Sequence, residues 1–341
     1  MDLTDSVILI TGGTGSFGNK FVETVLRRWR PRKLIVLSRD ELKQHEMRQR
    51  FDDPCLRFFL GDIRDRDRLY RAFQGVDYVV HAAALKQVPA AEYNPFEAVK
   101  TNILGGQNIV DAAIDSGVKR VIALSTDKAV NPVNLYGATK LCMEKLLIQG
   151  NSYAGSEGAK FSVVRYGNVV GSRGSVIPIF WQQRLTGKLT VTDPRMTRFW
   201  LTLERGVDFV LRSLELMRGG EVFVPKIPTM GIMDLVQAIA PDCEVEFTGI
   251  RPGEKLHEVM ISADDSRLAR ELDDMFVIEP AHPWWTTDRA WQGGRPVPDG
   301  FVYSSETNPW KLTPDELRDM VERLGLPKIV ERRKRPLRTV A

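Results

Sequence analysis

Cysteine is scarce in this chain. Only Cys55, Cys142 and Cys243 occur among 341 residues, an odd number at wide spacing. That excludes a disulfide framework and a zinc-knuckle spacing, and a reducing compartment is expected. The four histidines are dispersed as well. His81 and His257 are not spaced as a ligand pair, so no metal is expected and His81 reads as a satisfied buried histidine. No apolar run reaches the roughly 18 to 20 residues of a spanning helix. Asp2 and Asp5 stand where a signal peptide would carry a basic region. The expectation is a cytoplasmic protein with no membrane partner. Charge of one sign is also lacking, since the formal net charge is only +4. Positive residues gather in Glu331 to Arg338, which reads as a solvated tail rather than a nucleic-acid arm, so no nucleic-acid partner is expected.

What is present is an ordinary globular composition: 43% hydrophobic residues supply a core and 27% charged residues a surface, so disorder is not expected. The length suits one large domain and a smaller one. Short apolar runs recur at Val7 to Ile10, Lys33 to Leu37, Arg57 to Leu60, Tyr78 to His81, Val121 to Leu124 and Phe161 to Val164. Amphipathic segments lie between them, such as Phe21, Val22, Val25 and Leu26, or Ile109, Val110, Ala113 and Ile114. Nearly wholly apolar strands alternating with helices predict an α/β fold, a doubly wound parallel sheet covered on both faces. After Gly167 the rhythm breaks into Gly- and Pro-rich sequence, the expected smaller lobe over the open end of the sheet. The expected division is residues 1–168 for the nucleotide-binding domain, rejoined by about 196–228. Residues 169–195 and 229–280 form the substrate lobe, and 281–341 a C-terminal extension. There is no internal repeat. Trp284, Trp285 and Trp291 fall in a Pro- and Gly-containing stretch that suits either packed loops or a subunit contact.

Directly after the first strand comes Thr11-Gly12-Gly13-Thr14-Gly15-Ser16-Phe17-Gly18, followed by a helix. Gly12, Gly15 and Gly18 form a GxxGxxG arrangement that lets backbone approach a pyrophosphate at a helix N-terminus. A tight turn would need glycine anyway, but the strand, loop and helix context favours a dinucleotide site. Ser38, Arg39, Asp40 and Lys43 follow the second strand, where the adenosine ribose should arrive. Asp40 suits the 2′-hydroxyl of NAD, whereas Arg39 and Lys43 suit the 2′-phosphate of NADP. NADP is the expected cofactor; the bland reading makes both cations helix-start charges. Asp62 and Ile63 are placed for the adenine, and Ala82 and Ala83 keep backbone close to the cofactor.

The fifth strand runs out into Ser125-Thr126-Asp127-Lys128, and Tyr136 and Lys140 open the next helix four residues apart. On one helical face, an ammonium can favour the phenolate of a tyrosine that takes a hydroxyl proton. With these motifs the chain resembles the extended short-chain dehydrogenase/reductases from residue 5 to about 260. Thr126, Tyr136 and Lys140 fall on that family's catalytic motif. The resemblance implies a nucleoside-diphosphate sugar as substrate. Asp127-Lys128, in place of the usual Asp-Glu of sugar 4,6-dehydratases, is similar to the inverting UDP-N-acetylglucosamine 4,6-dehydratases that begin pseudaminic acid synthesis. His81 to Pro89, Met196-Thr197-Arg198-Phe199 and Arg251-Pro252-Gly253-Glu254-Lys255 agree with that likeness.

The implied reaction removes water across C5 and C6 with inversion at C5, and the implied substrate is UDP-N-acetylglucosamine. Tyr136 takes the C4 hydroxyl proton. Lys128, if desolvated and near a cation, is the expected base at C5, and a protonated Asp127 the acid at the C6 hydroxyl, with the two roles exchangeable. Lys86 is carried both as a cofactor and as a substrate contact. Asn168, Arg173, Val176, Thr190, Arg198, Arg251 and Glu254 are carried as substrate contacts, Arg173 and Arg251 because a forked guanidinium suits a pyrophosphate. A homo-oligomer, hexamer or dimer, is a family expectation. Two other readings stay open: a UDP-sugar epimerase of the same fold, and a non-catalytic NADP-sensing protein.

Overall fold

The structure, a computed structural model, describes residues 1–170, 176–281 and 293–323. Six parallel strands build one side of the molecule: β1 (Val7–Thr11), β2 (Lys33–Ser38), β3 (Leu56–Leu60), β4 (Tyr78–His81), β5 (Arg120–Leu124) and β6 (Lys160–Val164). Each coincides within a residue or two with an apolar run in the sequence. β1 is buried at all five positions, as a strand covered by helices on both faces must be. Helices Ser16–Arg28 and Gly105–Asp115 bury Phe21, Val22 and Val25, and Ile109, Val110 and Ala113, the stripes their spacing predicts.

The strands run in the order β3-β2-β1-β4-β5-β6. Chain direction across the sheet therefore reverses between β1 and β4. In such a doubly wound sheet the loops diverge there and leave a crevice beyond the carboxyl ends of the strands.

Beyond β6 the sheet is mixed, which the sequence did not reveal. Val222–Pro225 adds in parallel to β6, then Met275–Ile278, Ala269–Glu271 and Arg295–Pro296 add antiparallel, for ten strands in all. These added strands are only two to four residues long, too short to show a period, and three of them lie in stretches assigned to the lobe and the extension.

A second apolar cluster stands apart from the main core. It gathers Val170, Ile177, Phe180, Leu189 and Trp200 with Leu235, Ile239, Leu317 and Val321. Two small sheets frame it: Lys188–Val191 with Glu244–Phe247, and Asn168–Val169, Thr197–Leu201 and Thr229–Gly231. Among the described residues no helix is long and apolar enough to cross a membrane. Trp284, Trp285, Trp291 and the basic tail lie outside the described residues.

Candidate active site

A cavity of about 920 Å³ opens at the crevice between β1 and β4 and runs to the end of β5. Its floor is the glycine loop. Gly12 has φ +64°, and a Cβ there would lie 2.9 Å from the Ala83 backbone, so glycine alone lets the two strand ends meet. A Cβ on Gly18 would sit 2.2 Å from the Gly13 carbonyl oxygen. The helix that Gly18 opens has no acidic residue in its first turn and no side-chain cap on Gly15. Its first N–H groups are therefore unclaimed by side chains, the arrangement that suits an anionic group such as a pyrophosphate. Thr14 joins the loop to β2 through a 2.8 Å hydroxyl contact with Ser38. Gly12, Thr14, Gly15, Ser16, Phe17 and Gly18 all line the cavity.

At the far end of β2, Ser38, Arg39, Asp40 and Lys43 line the same cavity, with Asp62 and Ile63 opposite. Asp40 is not a free acceptor. It caps helix Glu41–Arg50 by accepting the Lys43 N–H at 3.0 Å, and its other oxygen pairs with the Lys43 ammonium. The Lys43 side chain, the nearer of its hydrogen bonds first, and then the Lys43 N–H hold the Asp40 carboxyl below its ordinary value. Arg39 is 59% exposed and makes only a 3.4 Å contact with Asp62, which is itself held at 2.7 Å by Arg64. The guanidinium of Arg39 is thus the loosest cation on this wall. Ala82, Ala83 and Lys86 complete the β4 side. Asn102 pins that loop, accepting from the Leu85 N–H at 2.8 Å and donating to the Leu85 carbonyl and to Thr139 at 2.9 Å. Nothing in the sequence marked Asn102, because it sits inside an ordinary helical pattern.

The catalytic cluster assembles where β5 ends. Thr126 caps a single turn, Asp127–Ala129. Its hydroxyl donates to Asp127 Oδ1 at 3.0 Å and accepts from the Lys128 N–H at 3.3 Å, and Tyr136 lines the same cavity. Tyr136 opens helix Leu135–Ala154, which Asn134 caps by accepting the Gly137 N–H at 2.8 Å. A Cβ on Gly137 would lie 2.0 Å from the Lys128 carbonyl oxygen, which explains the glycine after the tyrosine: helix and loop touch there. Lys128 Nζ lies 3.0 Å from Asp127 Oδ1 and 3.0 Å from Glu258 Oε1. Asp127 is fully buried, and its Oδ2, like the Ser125 hydroxyl, has no partner.

Two electrostatic expectations need correction. Burial alone would push the Lys128 ammonium down, but the Asp127 and Glu258 carboxylates outweigh both burial and the nearby Arg198 and hold it above its ordinary value. The expected lowering is absent, because the cation nearby is outnumbered by two carboxylates. Nor does Lys140 support a Tyr136 phenolate directly. Its Nζ turns to the Met143 sulfur at 3.1 Å, and burial pushes it down to about 8. Burial, with Asp127 adding to it, pushes the Tyr136 hydroxyl up to about 12 despite Lys128 and Thr126. His81 is buried as expected but only half satisfied: Nδ1 meets Thr11 Oγ1 at 2.8 Å, and Nε2 has no partner.

The substrate contacts divide. Lys86, Asn168 and Val176 line the cavity with Thr126, Lys128, Tyr136 and Lys140. Thr190 does not, being bonded through side chain and backbone to Gln183. Arg198 is committed to backbone: it donates to the carbonyls of Thr197, Leu256 and Lys255 at 2.7 to 2.9 Å. Arg251 is 66% exposed and Glu254 lies beside it, outside the cavity lining. Arg173 lies outside the described residues. Tyr166 and Trp200, which nothing in the sequence singles out, line the cavity wall, and Glu258, which does not line it, has as its only sequence signal a place three residues after Lys255.

The family described as "Polysaccharide biosynthesis protein" matches residues 8–280. The chain belongs to this family. It is an extended short-chain dehydrogenase/reductase by motif and by fold. It is 53% identical over 322 residues to the UDP-N-acetylglucosamine 4,6-dehydratase (inverting) of Campylobacter jejuni subsp. jejuni serotype O:2, covering 92% of this chain and 96% of that one. It is 44% identical over 283 residues to the UDP-glucose 4-epimerase of Rickettsia canadensis, covering 80% and 83%. Among solved structures, that of Pen from Bacillus thuringiensis superimposes with a TM-score of 0.88 at 39% identity, covering 95% of this chain and 99% of that one.

Proposed function

We propose that this enzyme is an inverting UDP-N-acetylglucosamine 4,6-dehydratase that works with a bound nicotinamide dinucleotide, NADP. The observation that carries the reading is the buried Asp127–Lys128 pair beside Tyr136, with 3.0 Å between Nζ and Oδ1. Redox at C4 needs one group to move the hydroxyl proton, and Tyr136 supplies it. Loss of water across C5 and C6 needs an acid and a base besides, and the pair supplies both. The 53% identity to the Campylobacter jejuni dehydratase supports the same reaction and substrate.

A nicotinamide held along the cavity by Gly12 to Gly18 and Lys140 would supply the hydride chemistry, oxidation at sugar C4 and reduction at C6. The chain's own groups handle the protons. Tyr136 receives the C4 hydroxyl proton as its phenolate, the form that a cationic nicotinamide beside it would favour against the burial that keeps the hydroxyl protonated in the free site. As the sugar excludes water, an ion pair in a low-dielectric site is favoured less over its neutral form, so one proton crosses from Lys128 to Asp127. The free amine of Lys128 then takes the C5 proton, and the Asp127 acid gives its proton to the leaving C6 hydroxyl. Elimination ends with ammonium and carboxylate, the pair as it began; once C6 is reduced, a proton enters C5 from the face opposite Lys128, matching the one that Tyr136 took from the C4 hydroxyl and inverting that centre. On the cofactor side, Arg39 is the loosest cation near the ribose end and Asp40 is engaged by its helix, a combination that supports a 2′-phosphate. Gly12 to Gly18 and the helix they open would hold the pyrophosphate.

The likeness to the Rickettsia canadensis protein favours a second reading, a UDP-sugar 4-epimerase, for which Thr126, Tyr136 and Lys140 suffice. A mass spectrum of UDP-N-acetylglucosamine incubated with the enzyme separates the two. A dehydratase yields a product lighter by one water; a product of unchanged mass overturns the reading in favour of the epimerase. Proton NMR of the product then reads inversion at C5.

A further inference from the structure

Lys128 faces five charged or titratable groups: Asp127 from its own turn, Tyr136 from the catalytic helix, Arg198 from strand Thr197–Leu201, and Lys255 and Glu258 from the segment that leads into strand Val259–Ile261. Among the described residues only the two carboxylates touch its ammonium, at 3.0 Å each. Glu258 is 2% exposed and does not line the cavity, so it meets the sugar only through Lys128. The burial is deliberate in its construction. Ser305 clamps the Glu258 backbone, its hydroxyl accepting from the Glu258 N–H at 2.9 Å and its own N–H donating to the Glu258 carbonyl at 2.8 Å. Glu258 Oε1 has Lys128 and, at 3.8 Å, Arg198 Nε; among the described residues Oε2 has no partner.

A buried carboxylate with an orphan oxygen is costly and does not persist for packing alone, since a methionine or glutamine would fill the same space at lower cost. We propose that Glu258 is a positioning residue for Lys128: from behind the cavity it fixes the side-chain amine toward the sugar and governs how readily that amine releases its proton. The inference rests on the dehydratase reading, in which Lys128 is the base at C5. A lysine stem has four rotatable bonds, and two acceptors on opposite sides leave its nitrogen one place to be. Electrostatically, Asp127 and Glu258 both hold the proton on Lys128, against burial and Arg198. Removing the charge of Glu258 while keeping its shape lets burial prevail and frees the amine at lower pH.

The test uses the full-length enzyme with its bound cofactor and UDP-N-acetylglucosamine. Two steps are read on one sample: cofactor reduction by absorbance, reporting oxidation at C4, and deuterium entry at C5 by mass spectrometry, reporting the base. Reduction amplitude counts folded, loaded sites, so partial misfolding does not enter the comparison. In Glu258→Gln, cofactor reduction and KM should stay near wild type, while the acid limb of C5 exchange moves down by about one pH unit or more. In Glu258→Ala, C5 exchange at its optimum should fall by roughly 100-fold, because the amine is no longer held in register, with reduction again preserved. An unmoved limb in Glu258→Gln, or loss of reduction and exchange in equal proportion in both variants, overturns the inference. If the wild type itself loses no water from the sugar, the dehydratase reading falls and the inference with it; a dehydrating wild type with an unmoved Glu258→Gln limb sinks the inference alone.

Discussion

Two lysines twelve residues apart, Lys140 buried and Lys128 one quarter exposed, line one cavity and are treated oppositely. Lys128, on the turn after β5, sits between two carboxylates that hold its proton on. Lys140, on the catalytic helix, has only the Met143 sulfur at hydrogen-bond distance, and burial brings it down to about 8 despite Glu144. Glu144 itself is engaged by Arg165, 2.8 Å away. The turn thus holds its proton tightly, whereas the helix keeps a cation of weak proton affinity in the same cavity. Placement on a turn or a helix does not produce this difference. It comes from which carboxylates stand beside each ammonium: for Lys128 they are Asp127, its neighbour in sequence, and Glu258 from the second half of the chain.

The sharpest break of the comparison is kinetic. Lys128→Ala should lower turnover by about 1,000-fold, within the range of a lost general base, and abolish deuterium entry at C5, while cofactor reduction by the sugar survives. Full C5 exchange in that variant would remove Lys128 from the base role. Stability gives the next largest contrast, and here the signs differ. Lys128→Met leaves two buried carboxylates without their cation and should cost about 3 kcal/mol, whereas Lys140→Met replaces a buried, carboxylate-free ammonium by an apolar chain of similar size and should gain about 1 kcal/mol. Urea unfolding of the two variants measures both; equal shifts of the same sign would mean that the carboxylates near Lys128 are not what distinguishes it. A smaller effect belongs to the cofactor wall. Arg39→Ala should weaken NADP binding by about tenfold, the loss of one exposed charge-assisted contact, and leave NAD binding nearly unchanged. Titration of cofactor-free protein with each dinucleotide decides it, and an equal loss for both would place Arg39 away from the 2′-phosphate.

How much of this was legible follows the same division. β1 to β6, the glycine loop and the Thr126 to Lys140 cluster could be read because each is a local pattern: an apolar run, a spacing of small residues, a pair four apart on a helix. Every residue expected along the cofactor path lines the cavity. The proton affinities could not be read, because they depend on contacts across more than a hundred residues. Glu258 reaches Lys128 from 130 positions away, and no periodicity announces it. Arg198 was misjudged for a related reason. A guanidinium in a polar stretch resembles an anion ligand, but here Thr197, Leu256 and Lys255 offer their carbonyls first. The antiparallel strands at the sheet margin escaped because two to four residues carry no period.

Stability against pH isolates the two environments from catalysis. Lys140 has an ordinary value of 10.5 and a folded value of about 8, so between these limits the unfolded chain binds the extra proton. Stability must then rise with pH across that window as the folded lysine escapes its buried charge. Lys128 has the opposite sign: its folded value lies above 10.5, so its contribution is fully present below that pH and is lost as pH climbs beyond it. Wild type therefore contains a gain followed by a loss. Lys140→Met should remove the gain, so that the urea midpoint no longer climbs between pH 8 and 10.5 relative to wild type. Lys128→Met should keep the climb and lack the fall above it. Parallel midpoint curves for wild type and Lys140→Met would mean that the ammonium of Lys140 finds a carboxylate or water in solution, and that the two lysines are less different than their surroundings make them.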